Sequence, residues 1–210
     1  MYTLYYSPGT ASMAVHLALL EIGVPHELRS LDLDAREQKS AEYLRLNPNG
    51  TVPTLVVDGE PTYECAALLL LLGERHPEAG LAPLPGTPAR PAYLQWVVHL
   101  ANTLQPAFRQ WFYPQDFAAG ENEDETRDFA RRRIEAAWQR IDGHLAAAGP
   151  WLAGGQLTMA DLYATMLMRW SRNMPRPATQ WPALSALAAR VKARPAWKKL
   201  CAIEGLTDWT

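Results

Sequence analysis

The sequence predicts an α/β domain followed by an all-helical domain. Strand patterns, helix patterns and one hairpin signal alternate within residues 1–76, in the order βαβ-α-ββα. Residues 79–91 are rich in proline and glycine, which is typical of a linker. Beyond this segment, only helical patterns follow. We therefore expect domains at residues 1–78 and 92–210, joined by the linker.

The first three elements predict a βαβ unit. Residues 2–6 alternate and are rich in strand formers, residues 11–22 have helical spacing and stop before Gly23, and residues 26–33 alternate again. Two strands joined by such a helix form a right-handed parallel pair. A short polar helix over residues 37–46 is expected next.

The stretch from residue 47 to residue 72 combines a turn, a hairpin and a helix. Asn-Pro and Asn-Gly pairs mark the turn. Strand residues 54–57 and 61–63 flank Asp58-Gly59, and such a pair is the strongest short hairpin signal. From Glu64 the apolar residues lose the two-residue period, which predicts a buried helix.

Pro53 lies at the start of the first hairpin strand, where a proline cannot donate to the ladder. Because only about 5% of X-Pro bonds are cis, the default expectation for Val52-Pro53 is trans. A cis bond would turn the Val52 N–H and C=O away from the sheet. A ligand with its own peptide bond could then dock there as an extra strand.

The helical domain is predicted to open with two long amphipathic helices. The first covers residues 92–112, with Pro106 expected to bend it. An acidic loop at residues 120–125 is expected to precede the second helix, at residues 126–148.

A capping box formed by Thr158 and Asp161 predicts the start of the next helix. This helix is apolar and continues to Trp170. Two short helices, over residues 182–193 and 196–203, are expected to finish the chain.

Composition excludes several classes of protein. Hydrophobic residues make up 48% and charged residues 20%, which is ordinary for a soluble globular protein. The net charge is −2 and no basic patch is present, so neither nucleic acid nor a membrane surface is an expected partner. The N-terminal residues lack a signal-peptide pattern. Cys65 and Cys201 have no metal-binding spacing, which predicts a cytoplasmic protein without disulfides or a metal.

The order of these features resembles that of the cytosolic glutathione transferases. The matching features are Asn47-Pro48, Gly50, Val52-Pro53, Glu64-Cys65 at a helix start, the proline-rich linker and the Thr158–Asp161 box. The resemblance covers essentially the whole chain. It implies a thioredoxin-like first domain, glutathione as co-substrate, a homodimer, and detoxifying transfer of the glutathione thiolate to apolar electrophiles.

Within that family the start of the chain resembles the bacterial beta class, whose Pro-Gly-Ala-Cys-Ser segment corresponds to residues 8–12. The active-site cysteine of that class falls on Ala11, and one of its histidines falls on Gln105. Both groups are therefore replaced here. The resemblance therefore implies that a hydroxyl group stabilises the thiolate in this protein.

Two serines are the candidates for this catalytic hydroxyl. A free thiol has a pKa near 8.5, and lowering it by about two units requires about 2.7 kcal/mol of preferential thiolate stabilisation. The N-terminus of the first helix supplies part of it. Ser12, beside Ala11, is the first choice and Ser7 is the second, with Tyr6 and Thr10 as further possibilities. The alternative for both serines is a structural role in a cap or turn.

Glu64 and Cys65 match a Glu-Ser pair that holds the γ-glutamyl end of glutathione. A carboxylate accepts the ammonium group, and N–H groups at a helix start bind the carboxylate. Cys65 is a weaker donor than serine. It is either a reactive thiol at a helix N-terminus or a small buried core residue.

The resemblance completes the expected glutathione site with further positions. Gln38 and Lys39 match positions that reach the glycyl carboxylate, with a solvated helix surface as the alternative. Thr51, Val52 and Pro53 form the segment expected to pair with the cysteinyl backbone.

An apolar pocket for the second substrate is expected in the helical domain, lined by Gln105, Phe108, Tyr113 and Met166, although each alone also fits a core role. The family resemblance implies a dimer in which the helix from Glu64 contacts the partner's helix that begins near residue 92.

Three functions fit these observations. The first is conjugation by a glutathione transferase. The second is glutathione binding with little or no turnover, because Ala11 and Gln105 replace two working groups. The third is a glutathione-dependent thiol reductase, which requires a reactive Cys65.

Overall fold

The computed structural model describes residues 1–118 and 122–209. Contacts divide these residues into two compact units. One contains residues 1–82 together with the residues from Lys192 onward, and the other contains Pro83–Val191. The last helix therefore belongs, by its contacts, to the unit built by the start of the chain. The predicted boundaries at residues 78 and 92 stay a prediction.

The first unit is built on a four-stranded mixed sheet with strand order β2-β1-β3-β4. The strands are β1 (Tyr2–Tyr6), β2 (His26–Ser30), β3 (Thr54–Val57) and β4 (Glu60–Tyr63). Strand β1 pairs in parallel with β2 and antiparallel with β3. The predicted βαβ pair and the hairpin are thus confirmed.

The α-helices account for most of the remaining structure. They are α1 (Ser12–Ile22), α2 (Ala41–Leu46), α3 (Cys65–Arg75), α4 (Arg90–His99), α5 (Gln105–Phe112), α6 (Glu123–Ala148), α7 (Met159–Trp170), α8 (Pro182–Lys192) and α9 (Pro195–Glu204). Together with the sheet they confirm the predicted fold class, a thioredoxin-like α/β part and an all-helical part.

Helix α1 is the centre of the first unit. Residues 13–19 are fully buried, since α1 packs against β1, α3 and α9. This all-round burial agrees with a helix that is apolar on most of its surface. The helix ends at Gly23, whose φ of 80° is the left-handed C-cap conformation.

Two predicted elements of the first unit differ from the structure. Strand β2 ends at Ser30 rather than residue 33, because the Asp32 side chain accepts the N–H groups of Asp34 and Ala35 and closes a turn. The predicted helix over residues 37–46 is interrupted at Ser40, which is extended and caps α2 by accepting the Tyr43 N–H at 3.2 Å. A single 3₁₀ turn, Glu37–Lys39, precedes it.

The long helix expected over residues 92–112 has a π-helical segment, Leu100–Leu104, between α4 and α5. Pro106 supplies the physical reason, because it lacks an N–H and its ring clashes with the carbonyl four residues earlier. Here the Gln105 N–H bonds to the Leu100 carbonyl, five residues back. A π turn therefore interrupts the helix just before Pro106, and the bend expected at Pro106 stays a prediction.

Helix α6 begins at Glu123, so the acidic loop predicted over residues 120–125 is wrong for residues 123–125. Three successive acidic residues favour a helix N-terminus, where the helix dipole attracts negative charge. Gly120 and Glu121 lie outside the described residues.

The capping box of α7 is confirmed. The Asp161 carboxylate accepts the Thr158 and Leu152 N–H groups, both at 2.8 Å, and is fully buried. Burial raises the pKa of Asp161 to about 6, against the opposing effect of these hydrogen bonds. No helix among the described residues is long and apolar enough to cross a membrane.

Candidate active site

The chain leaves β1 through a tight turn that leads into α1. The Thr10 N–H bonds to the Ser7 carbonyl at 3.3 Å, with Pro8 and Gly9 at the two central positions. Gly9 has a φ of 70°, which only glycine adopts freely. Proline followed by a left-handed glycine is the pattern of a type II turn.

The Ser12 hydroxyl is used to hold this turn. Its side chain is fully buried, and its oxygen accepts the Ser7 N–H at 3.2 Å. The same oxygen lies 2.8 Å from the Thr10 hydroxyl, which donates to the Ser7 carbonyl at 2.7 Å. Both hydroxyls therefore bond within the turn, which favours the structural role for Ser12.

The Ser7 hydroxyl differs from these two because it has no hydrogen-bond partner within residues 1–118 and 122–209. The side chain lines a cavity of about 450 Å³ together with Pro8, Thr10 and residues 30–34. The Ala11 N–H, at the start of α1, also has no partner within the described residues. Such unpaired N–H groups at a helix start favour an anion.

The loop before β3 is held from behind by a buried polar network. The Asn47 amide donates to the Thr51 carbonyl at 2.9 Å and lies 3.1 Å from the Thr54 hydroxyl. The Tyr43 hydroxyl donates to the same carbonyl at 2.7 Å. Burial raises the pKa of Tyr43, so its phenol keeps its proton at neutral pH. The loop conformation is thus fixed by side chains that never reach the surface of the site.

The Val52-Pro53 bond is cis, and Pro53 is buried. Thr54 is the first residue of β3 to pair with β1 or β4. Within the described part of the chain, the Val52 N–H and C=O make no hydrogen bond. The sequence default of a trans bond is therefore wrong here.

Lys39 contacts this loop from outside. Its ammonium group donates to the Asn49 carbonyl at 3.1 Å. Gly50 lies against it so closely that an added Cβ would be 2.7 Å from the Lys39 Nζ and 2.8 Å from the Gln38 carbonyl. The Gln38 Oε1 is buried with no hydrogen-bond partner among the described residues. The Lys39 side chain and the Gln38 backbone therefore lie beside the loop, while the Gln38 side-chain amide donates to the Leu33 carbonyl at 3.5 Å.

Glu64 and Cys65 start α3 next to the turn. Glu64 is exposed and has a φ of 78°, which is uncommon for a residue with a Cβ and is concentrated at functional sites. Its carboxylate has no ion-pair partner in the described residues. The Cys65 Sγ is buried and lies 3.4 Å from the Ala11 carbonyl. This contact brings the α3 and α1 N-termini together.

Two family models match the chain. The model of the glutathione S-transferase N-terminal domain matches residues 10–75, and the model of the C-terminal domain matches residues 102–202. A glutathione S-transferase of Xanthomonas campestris pv. campestris, GST-4.5, is 34% identical over 90% of this chain and 92% of its own length. The chain belongs to the glutathione S-transferase family.

Solved glutathione transferases have the same fold over nearly the whole chain. The enzyme from Xylella fastidiosa superimposes with a TM-score of 0.90 at 30% identity, covering 98% of this chain and all of its own. A sphingomonad enzyme solved in complex with glutathione gives a TM-score of 0.86 at 31% identity with the same coverage. Among the described residues, no group of histidine, cysteine, aspartate and glutamate side chains is arranged to hold a metal.

The predicted second-substrate residues of this transferase are in different environments. Phe108 and Met166 are fully buried in the second unit, which favours their core role. Gln105 accepts a hydrogen bond from the Tyr163 hydroxyl. Tyr113 is 44% exposed, with the Arg109 guanidinium 4.1 Å from its ring centroid. Of the four, Tyr113 presents the most surface to a ligand.

One residue at the site was not singled out by sequence reasoning. Glu204, at the end of α9, accepts the Gly9 N–H at 2.8 Å. No local pattern reveals this contact, since the two residues are 195 positions apart. The only sequence signal is a charged residue within an otherwise apolar helix face, next to the buried Leu200 and Cys201.

Proposed function

We propose that this transferase stabilises the glutathione thiolate with the Ser7 hydroxyl and the Ala11 N–H. The observation that carries the proposal is that Ser7 has the one hydroxyl of the turn without a partner in the described residues, while Ser12 and Thr10 bond within the turn. A hydrogen bond to a charged group contributes about 1.5–3 kcal/mol. One such bond, with the α1 N-terminus, supplies enough to favour the thiolate at neutral pH.

Glutathione is held by the neighbouring loop and helix. The Val52 N–H and C=O pair with the cysteinyl backbone in the manner of an added strand. The Glu64 carboxylate takes the γ-glutamyl ammonium, and the α3 N-terminus at Cys65 takes the γ-glutamyl carboxylate. Lys39 and Gln38 reach the glycyl carboxylate, with Thr51 and Pro53 shaping the loop between them. The unpaired Glu64 carboxylate supports this placement.

The reaction is addition of the thiolate to an apolar electrophile, with Tyr113 and Gln105 contacting the second substrate. The protein contributes proximity and stabilisation of negative charge, without a covalent intermediate on the chain. Closeness to the beta class, with Ala11 and Gln105 in place of its cysteine and histidine, favours this chemistry over thiol reduction. Cys65 is buried against the Ala11 carbonyl, which also disfavours a redox role.

A matched pair of serine variants tests the assignment with glutathione and a generic aryl halide. We expect Ser7→Ala to lower kcat by about 10-fold or more, the value of one hydrogen bond to a charged group. Titration of the thiolate absorbance should show a raised pKa for the bound thiol. Ser12→Ala should lower the denaturant midpoint and raise that pKa by less than Ser7→Ala does, because it loosens the turn but keeps the Ser7 hydroxyl.

Two outcomes would overturn parts of the proposal. If Ser12→Ala raises the thiol pKa and Ser7→Ala does not, the roles of the two serines are reversed. Tight glutathione binding by the wild type without turnover of any electrophile would instead favour a binding protein. A thiol label that modifies native Cys65 rapidly would reopen the reductase alternative.

We also propose a homodimer in the cytoplasm, as the family resemblance implies. The half-buried Leu70 and Leu71 of α3 agree with burial against a partner copy. Sedimentation equilibrium of the full chain tests the dimer.

A further inference from the structure

The Glu204 carboxylate is fully buried and has a partner on each oxygen. One oxygen accepts the Gly9 N–H at 2.8 Å, and the other lies 2.8 Å from His16 Nδ1. The side chains of Glu204 and His16 are both 0% exposed. A buried carboxylate persists only when it is hydrogen-bonded or paired, so these two contacts account for its position.

His16 ties the Glu204 carboxylate to α1. It lies on the buried face of α1, with its ring 5.8 Å from the rings of both Tyr6 and His26. The imidazole thus packs against two rings in addition to its contact with Glu204. Glu204 is held at a fixed point relative to α1.

The peptide that Glu204 holds has two possible orientations. Type I and type II turns differ mainly by a flip of the central peptide, here Pro8-Gly9, and glycine at the third position allows both. In the observed turn the Gly9 N–H points at the carboxylate. After a flip the Pro8 carbonyl would face the same buried carboxylate, where two acceptors repel each other. Glu204 therefore selects the observed orientation.

We propose that Glu204 is a positioning residue for the transfer reaction. By accepting the Gly9 N–H, it holds the turn in the orientation that presents the Ser7 hydroxyl and the Ala11 N–H to the glutathione sulfur. This inference rests on the proposed role of the turn. Recognition of the rest of glutathione by Val52 and Glu64 does not pass through Glu204.

The test separates these two functions with a ligand that lacks the thiol. S-methylglutathione keeps the groups that the loop and α3 recognise but cannot ionise at sulfur. For Glu204→Ala we expect a fall in kcat of about 10-fold or more and a raised pKa of bound glutathione, with S-methylglutathione affinity within about twofold of wild type. Glu204→Gln keeps an acceptor oxygen for Gly9 and should recover most of the activity.

A control variant addresses the alternative that Glu204 merely fastens α9 to α1. Glu21 of α1 and Arg194, the N-cap residue of α9, form a bidentate ion pair at 2.6 and 2.7 Å, away from the turn. Glu21→Gln should lower the stability but leave the thiol pKa unchanged. Amide exchange at Gly9 should accelerate in Glu204→Ala and stay slow in Glu21→Gln.

The proposal fails if Glu204→Ala leaves both the thiol pKa and kcat unchanged. It also fails if S-methylglutathione affinity falls as much as kcat, because that result indicates a general loss of structure. If Glu204→Ala does not fold, Glu204→Asp replaces it in the test, because it keeps the negative charge and shortens the side chain. The same two outcomes then count against the proposal. A raised thiol pKa in the Glu204 variant with a silent Ser7→Ala would overturn the role of Ser7 and leave that of Glu204 standing.

Discussion

The loop before β3 and the turn after β1 are held by partners at very different distances along the chain. The loop carbonyl of Thr51 is bound by Asn47 and Tyr43, four and eight residues earlier. The turn, in contrast, has its Gly9 N–H bound by Glu204, 195 residues later. One segment of the site is thus fixed by its own neighbourhood, whereas the other has local bonds from Ser12 and Thr10 and also depends on α9.

This difference predicts separate responses to mutation. Changes near residues 39–65 should alter how tightly glutathione binds. Changes around the turn or at α9 should alter the pKa of the bound thiol and kcat. A variant that changes both glutathione affinity and the pKa of the bound thiol would contradict this separation.

The largest expected effect on binding is at Glu64. Replacing it by glutamine removes the charge for the γ-glutamyl ammonium, and a hydrogen bond between charged groups contributes about 1.5–3 kcal/mol. We expect glutathione affinity to fall by about 10-fold or more, with kcat at saturation near wild type. Calorimetry and steady-state kinetics measure the two quantities. Glu60→Gln, on exposed β4, is the control, and an equal loss there would contradict the assignment.

Gly50→Ala should have the next largest effect, because it disturbs the loop in two ways. Its φ of 57° disfavours a side chain, and the new Cβ would meet the Gln38 carbonyl at 2.8 Å. We expect about 1–3 kcal/mol of lost stability in urea unfolding, together with weaker glutathione binding. Gly23→Ala shares the positive φ but has open space around it, so it isolates the clash. Equal losses in the two variants would show that the clash with Gln38 is relieved at no cost.

Cys65→Ser should produce a smaller change in the opposite direction. A hydroxyl is a stronger donor than a thiol, so glutathione should bind tighter by about threefold, or less than about 1 kcal/mol. Isothermal titration measures this, and the bound thiol pKa should not move. Weaker binding would show that the fit of sulfur against the Ala11 carbonyl matters more than donor strength.

The smallest expected effect is on the loss of stability at acid pH. Burial lowers the pKa of His26, with His16 and Lys199 acting in the same direction against the Val24 carbonyl. Because the folded state binds this proton less readily than the unfolded state, His26 contributes a loss of stability as the pH falls below about 6.5. His26→Gln should reduce the drop in urea midpoint between about pH 7.5 and about pH 5.5. An unchanged drop would show that other groups cause it.

The parts of the fold predicted correctly from the sequence are those encoded locally. The hairpin at Asp58-Gly59, the stop at Gly23 and the capping box at Thr158 each depend on residues a few positions apart. The interruption at Ser40 is also local, but a short polar helix offered an equally reasonable interpretation. The start of α6 was missed because acidic residues fit both a loop and a helix N-terminus.

The site was predicted unevenly for the same reason. The Asn47–Pro53 segment and Glu64 carry short motifs, so a role for them could be proposed without a structure, and that role stays a prediction. The choice between Ser7 and Ser12 depends on which hydroxyl is already bonded, and that is set by three-dimensional packing around α1. The Glu204 contact depends on a helix whose place in the first unit no local signal reveals.

The place of α9 in the first unit also bears on synthesis of the chain. The sheet, α1 and α3 leave the ribosome before the whole of Pro83–Val191 has been made, and domains generally begin to fold as they emerge. Until α9 follows, His16 and the Gly9 N–H lack their contacts with Glu204. The nascent protein can therefore form the loop before β3 early, but it gains the Glu204 contact with the turn only after Pro83–Val191 has been made.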